Sequence, residues 1–231
     1  MATAADKSSG TPPVQGTKWR IIVAAIGLFA AKGYPGASMR DLAKAVGIKP
    51  ASIYSHFESK QALLSTAYDV YEYHLAKVLP DIDELLASAE VDDPRCVLEK
   101  SAYYFDPAIQ EFMNQTVAVA VCEERRDERS SEFVNRVLLE IPGSIIKQLV
   151  NRLLELEHIK PLDVEGLVTV FTNYCYSAAV RDGGTHPISI EDWTRGFALL
   201  TSVIQPTAKG LAAAGKKGGS AEKTGVEYTV T

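Results

Sequence analysis

Residues 38–60 read SMRDLAKAVGIKPASIYSHFESK, and their reading decides the fold. Ser38 stands three residues ahead of Asp41, the spacing at which a hydroxyl and a carboxylate cap a helix start reciprocally. Met39, Leu42, Ala43 and Val46 then recur at i, i+3, i+4, i+7, giving one apolar face on a helix of about two and a half turns. Gly47 supplies the left-handed residue that stops it. Pro50 is tolerated in the first turn of a second helix, where its missing N–H costs nothing. On that helix Ile53 and Phe57 lie at i, i+4 and pack inward, leaving Ala51, Ser52, Ser55 and His56 small or polar on the other face. Two short helices joined by a tight glycine turn, the second with a small-residue polar face, form a helix-turn-helix.

Upstream, Ile22, Ala25, Ile26 and Phe29 repeat at helical spacing, and Lys32-Gly33 ends that helix. The same run, Ile21 to Ala31 behind Lys18 and Arg20, mimics an export signal, but its periodicity favours a folded helix. At 11 residues it is too short to span a membrane, which takes about 20. Met1 to Gly16 is rich in Ala, Ser, Thr, Gly and Pro and reads as a flexible arm. Downstream the pattern is almost wholly helical, with breaks at Pro80, Asp92-Asp-Pro94, Asp106-Pro107, Ile141-Pro-Gly143, Lys160-Pro161 and Gly183 to Pro187. Residues 206–231, with Gly215-Lys-Lys-Gly-Gly-Ser220, read as a flexible tail. The expectation is an all-α chain: arm 1–16, a three-helix helix-turn-helix domain 17–60, a helical bundle 61–205, and tail 206–231.

The 231 residues are 46% apolar and 23% charged, the composition of a chain that buries a core. A formal charge of −5 argues, taken alone, against a nucleic-acid partner. Split along the map it means something else. Residues 1–60 hold eight basic and three acidic side chains, residues 61–205 hold 12 and 24, and the tail holds four and two. A head of +5 thus precedes a body of −12, the asymmetry of a DNA reader carrying something else. A bulky exposed helix face would be kept out of a major groove about 12 Å wide, whereas Ala51, Ser52 and Ser55 let the backbone approach. Lys49 and Lys60 flank that helix, placed to meet phosphates.

The stretch from Trp19 to Leu64 resembles the DNA-binding domain of the TetR family of bacterial transcriptional regulators. The matching residues are Ala25, Phe29, Gly33-Tyr34, Ser38-x-x-Asp41-Leu42-Ala43, Val46-Gly47-Ile48, Ile53-Tyr54-x-His56-Phe57 and Ser59-Lys60-x-x-Leu63-Leu64. The resemblance implies contacts to the DNA backbone from Tyr54, His56 and Lys60, with Lys49, Pro50, Ala51, Ser52 and Ser55 nearest base edges; Ser38 and Arg40 complete the candidate set. Read singly, Tyr54 is equally a packing residue and His56 and Lys60 ordinary surface groups. The family usually carries Ser or Thr at the position of Lys49. A lysine accepts no hydrogen bond, so the second helix is expected to lack a side-chain cap.

Body helices are expected to start near Gln61, Pro94, Pro107, Ser130, Gly143, Asp163 and Ser189. The resemblance implies a ligand-sensing and dimerisation bundle in which the last two long helices pair with a second copy through Leu167, Val170, Phe171, Trp193, Phe197, Leu200 and Ile204. Periodicity alone does not separate core from interface. Ligand candidates are the aromatic, soft and amide side chains of the middle helices: Tyr103, Tyr104, Phe112, Met113, Asn114, Phe133, Asn173, Tyr174 and Tyr176. For any one of them, core packing is the better reading. Three cysteines, 96, 122 and 175, lack C-x-x-C spacing and read as buried thiols of a reducing compartment. Cys122 abuts the run Glu123-Glu-Arg-Arg-Asp-Glu-Arg129, whose arginines would activate a thiol and whose acids oppose it; the run itself reads as a solvated helix end.

No nucleophile with a base, paired carboxylates or phosphate loop stands at diagnostic spacing, and the four histidines form no metal motif. The expectation is a non-enzymatic, cofactor-free, metal-free regulator of the bacterial cytoplasm, off the membrane and nucleoid-associated when bound. It would be a homodimeric repressor on a pseudo-palindromic operator of double-stranded DNA, released by a small, largely apolar or aromatic effector. The alternative is a DNA-binding protein whose body contacts a protein partner instead.

Overall fold

The computed structural model describes residues 14–103, 105–181 and 190–215, apart from the side chains of 190, 191 and 193. Tyr104 and the Trp193 side chain, both candidates above, lie outside the described residues, as does Ser189. The described residues form α1 (Gly16–Lys32), α2 (Met39–Val46), α3 (Pro50–Tyr54), α4 (Lys60–Val78), α5 (Ile82–Ser88), α6 (Pro94–Glu99), α7 (Pro107–Glu123), α8 (Glu128–Val134), α9 (Ile141–Glu155), α10 (Val164–Val180), α11 (Ile190–Val203) and α12 (Ala208–Gly215). The fold is all-α. Among the described residues β pairing is limited to one isolated bridge, Ile159 to Pro206.

Local chemistry sets the head. The Ser38 hydroxyl accepts from the Asp41 N–H at 3.1 Å while the Asp41 carboxylate accepts from the Ser38 N–H at 3.0 Å, so each end satisfies the other's orphan donor. Met39, Leu42, Ala43 and Val46 are the buried face of α2, and Gly47 stops it at φ 75°, ψ 32°. Ile53 and Phe57 are buried as their spacing requires. α3 has Pro50 in its first turn and no side-chain cap at Lys49.

In the body, Asp93, Asp106 and Asp163 cap α6, α7 and α10 through their carboxylates. Three features depart from expectation. Ile141-Pro-Gly143 does not break the helix. A π-helical segment, Asn135–Glu140, joins α8 to α9, and the Ile141 N–H donates to the Arg136 carbonyl five residues back. A proline inside a helix removes one ladder donor and its ring collides with the carbonyl four residues before it; widening the preceding turn relieves both. α5, a seven-residue helix capped by Asp81, has no expected start. The reading of 206–231 as a flexible tail fails over 206–215: the Thr207 N–H donates to the His158 carbonyl at 2.8 Å, and α12 follows with Gly210 packed on the same residue.

The core crosses the head–body boundary. One apolar cluster runs from Ile21, Ile26 and Phe29 in α1 through Leu64 and Tyr68 in α4 to Met113 in α7 and Phe133 in α8. Trp19 of α1 meets Phe112 of α7 edge to face at 5.0 Å between ring centroids. A second cluster joins α5, α6, α9, α10 and α11 through Leu149, Phe171, Phe197 and Leu200.

Candidate nucleic-acid interface

The α2–α3 turn and α3 present their polar side chains outward. Arg40, Lys49, Pro50, Ala51, Ser55 and His56 are exposed, Ser52 is half-buried, and Tyr54 is 55% exposed despite its apolar ring. A large aromatic left in water by a fold that buries Phe29 and Phe57 nearby is a side chain with no packing role in the free chain. The Ser55 hydroxyl donates to the Ser52 carbonyl at 2.8 Å, turning its oxygen lone pairs outward. Ser38 is exposed at its atoms but its hydroxyl is engaged by the Asp41 carboxylate, which holds that carboxyl below the usual range.

Lys60 sits differently from the other candidate cations. Its ammonium donates to the carbonyls of Tyr34 and, at 3.0 Å, Ala37, and lies 4.1 Å from the Tyr34 ring centroid. Its charge therefore fastens the α1–α2 loop to the start of α4. Four cations outside the candidate set lie on the same module, Lys18, Arg20, Lys32 and Lys44; Lys44 is exposed on α2, and the Lys18 ammonium is 5.1 Å from the Phe57 ring centroid. Lys18 is 39 residues from Phe57 in sequence, so no local spacing signals that approach.

The ligand candidates do not converge on one place. Phe112, Met113 and Phe133 are filled core positions, Phe133 stacking on Tyr68 at 4.3 Å and meeting Tyr71 edge to face at 4.9 Å. Tyr103 packs against that cluster, and burial pushes its phenol and that of Tyr71 well above the usual range. Asn114 accepts from Gln110 at 2.9 Å, Asn173 is exposed, and the Tyr176 hydroxyl donates to Glu124 at 2.5 Å. Tyr174 belongs instead to an open groove of about 270 Å³ between α10 and α11, where its hydroxyl donates to the Asp192 carbonyl at 2.9 Å.

That groove divides the dimerisation candidates. Leu167, Val170, Phe171 and Leu200 line it, Val170 being 57% exposed and Phe171 and Leu200 buried, whereas Phe197 and Ile204 are buried core away from it. Leu199 and Val203, exposed and absent from the candidate set, complete its apolar rim. Cys96 and Cys122 are exposed, correcting the expectation of three buried thiols; Cys175 alone is buried, its pKa pushed up to about 12 by desolvation. Desolvation and neighbouring acids also raise the Cys122 thiol, the opposite of what activation requires.

The family profile described as "Bacterial regulatory proteins, tetR family" matches residues 21–67, which span α1 to the first turns of α4. Over these residues the chain is similar to that family. Over 46 residues, 20% of this chain and 25% of the relative, it is 52% identical to the Staphylococcus aureus biofilm operon icaADBC HTH-type negative transcriptional regulator IcaR. Over 83 residues, 36% of this chain and 28% of the relative, it is 37% identical to the uncharacterized HTH-type transcriptional regulator YerO of Bacillus subtilis. The chain thus spans only about a quarter of the length of these curated relatives. The TetR-family regulator PfmR from Thermus thermophilus superposes with a TM-score of 0.57 at 21% identity, covering 79% of this chain and 97% of that one, which shows the shared fold.

Proposed function

We propose that this chain is a homodimeric DNA-binding transcriptional repressor that reads a pseudo-palindromic operator with one α3 per half-site and is released by a small, largely apolar or aromatic effector. The observation that carries the reading is the exposed face of α3 and of the turn that follows it: Ala51, Ser55 and His56 with Tyr54 left in water, beside the exposed Lys49. A two-fold dimer would set two such helices in successive major grooves, about 34–36 Å apart. The apolar groove of α10 and α11, rimmed by Val170, Leu199 and Val203, supports pairing with a second copy into a four-helix interface. Such a regulator acts in the bacterial cytoplasm.

Release would follow by geometry. α4 packs into the head through Leu63 and Leu64 and into the body through Tyr68 and Tyr71. An effector favouring one tilt of α4 changes the separation of the two reading heads. Linkage requires that operator DNA weaken effector binding by the same factor as effector weakens DNA.

A salt titration of binding to the chain's own upstream DNA tests the reading. Lys49→Ala is expected to weaken binding to all sequences and lower the slope of log K against log salt by about 1, while Ser52 or Ser55 substitutions change sequence preference. Binding that is absent, or indifferent to salt, overturns it.

A further inference from the structure

The charged run Glu123-Glu-Arg-Arg-Asp-Glu-Arg129, which sequence alone presents as a solvated helix end, holds three parts of the molecule at once. Its Asp127 carboxylate accepts from the Gln61 amide at 2.6 Å at the start of α4, and the Gln61 carbonyl accepts from the Tyr34 hydroxyl at 2.9 Å in the α1–α2 loop. The other Asp127 oxygen accepts from the Ser130 N–H at 2.8 Å and the Ser130 hydroxyl at 2.6 Å. Ser130 in turn meets the Tyr68 hydroxyl at 2.8 Å inside the core. On the far side of the same segment Glu124 accepts from the Tyr176 hydroxyl of α10 at 2.5 Å, and Arg129 pairs with Asp69 on α4 at 3.1 Å.

We propose that residues 123–129 are a coupling node, tying the α1–α2 loop of the head to α10 through two hydrogen-bonded arms, Tyr34–Gln61–Asp127 and Glu124–Tyr176, joined by the backbone of the segment. α10 carries half of the apolar groove, so a shift of α10 against its surroundings reaches the head through this segment as well as through α4. The α1–α2 loop in turn precedes the Ser38 cap of α2. The same loop is fastened from the other side by Lys60, so its position depends on α4 and on the node together. Three features make a relay of these bonds: a single seven-residue segment serves both ends, the donors and acceptors match at each junction, and Ser130–Tyr68 anchors the segment in the apolar core. The inference deepens the regulatory reading and rests on it for its biological meaning, but the coupling itself is a property of the free protein.

Amide hydrogen exchange on the DNA-free full chain tests it. Tyr176→Phe removes one hydroxyl of α10 that touches nothing in the head. It is expected to accelerate exchange several-fold both at 123–127 and at 33–38. Gln61→Met, which keeps side-chain length and leaves the Ser59 and Asp127 caps intact, is expected to accelerate 33–38 and 127–131 together. Arg125→Ala, at an exposed position of the same run, is the control and is expected to leave 33–38 unchanged. If Tyr176→Phe loosens 123–127 alone, or if Arg125→Ala loosens the head equally, the node does not couple the two ends. DNA binding measured on the same variants is a separate readout: loss of the DNA reading leaves the exchange result standing, and the reverse holds too.

Discussion

A lysine ammonium that donates to two backbone carbonyls and sits over an aromatic ring, as Lys60 does, is held by the fold. Hydrogen bonds to a charged group contribute about 1.5–3 kcal/mol, less where water competes. Lys60→Ala is accordingly expected to lower stability by about 1–2 kcal/mol, read as a lower denaturant midpoint, because it frees the Tyr34 and Ala37 carbonyls and the loop around them. A lysine serving only phosphate would show the opposite pattern, a flatter salt slope at unchanged stability, and parallel denaturation and binding titrations of Lys60→Ala and Lys49→Ala separate the two. Residue-scale features of this kind were legible in sequence only where their chemistry is local. Ser38 and Asp41 are three residues apart, and Gly47 follows an apolar face, so their roles follow from spacing. The partners of Lys60 lie 23 and 26 residues away and depend on how α4 docks. Phe133 and Tyr103 carry the same aromatic signal whether a core or a ligand surrounds them, and only packing distinguishes the stacked ring from the candidate pocket residue.

At the scale of elements, glycine positions divide by what lies opposite them. A Cβ on Gly143 would approach the Thr172 and Val168 methyl groups at 3.1 and 3.2 Å, where side chains can give way. A Cβ on Gly210 would overlap the backbone carbonyl of His158, which cannot. Gly210→Ala is therefore expected to cost about 1–3 kcal/mol and to exceed the effect of Gly143→Ala, as thermal or urea denaturation of the two variants would show. The damage should centre on α12 and the turn at Glu157–Ile159, which the Thr207 hydroxyl and the Lys209–Glu157 ion pair also bind. α12 escaped the sequence reading because its Ala, Gly and Lys content is that of a linker and its anchors are about 50 residues distant. Pro142 misled for the converse reason. Pro-Gly is a strong local stop, but the π-helical turn before it absorbs the conflict and the chain stays helical.

For the whole molecule, the proposed pairing rests on the exposed Val170, Leu199 and Val203 rather than on the buried candidates. Interfaces draw affinity from a few desolvated apolar anchors, and a charge placed among them remains unpaired. Leu199→Glu is expected to weaken self-association at least ~10-fold while sparing the monomer fold, which sedimentation and circular dichroism would show. Operator affinity should fall with it, since two heads on one duplex gain from effective concentration. If Leu199→Glu remains fully associated, the groove is not the pairing surface. The charge map bears on the same proposed complex: a −12 body beside a +5 head is expected to orient it so that only the heads approach phosphate.

The contact between Trp19 and Phe112 bears on how such a regulator can be rebuilt. α1 rests on α7 and the apolar core continues from Ile21 to Phe133 without a seam, so the reading head is not an interchangeable cassette. A chimera that joins residues 1–60 to a foreign body would strip Trp19 of its partner and cut the core across its middle. On the proposed DNA reading, re-targeting to a new sequence is better done by exchanging the outward side chains of α3 than by exchanging the module that carries them.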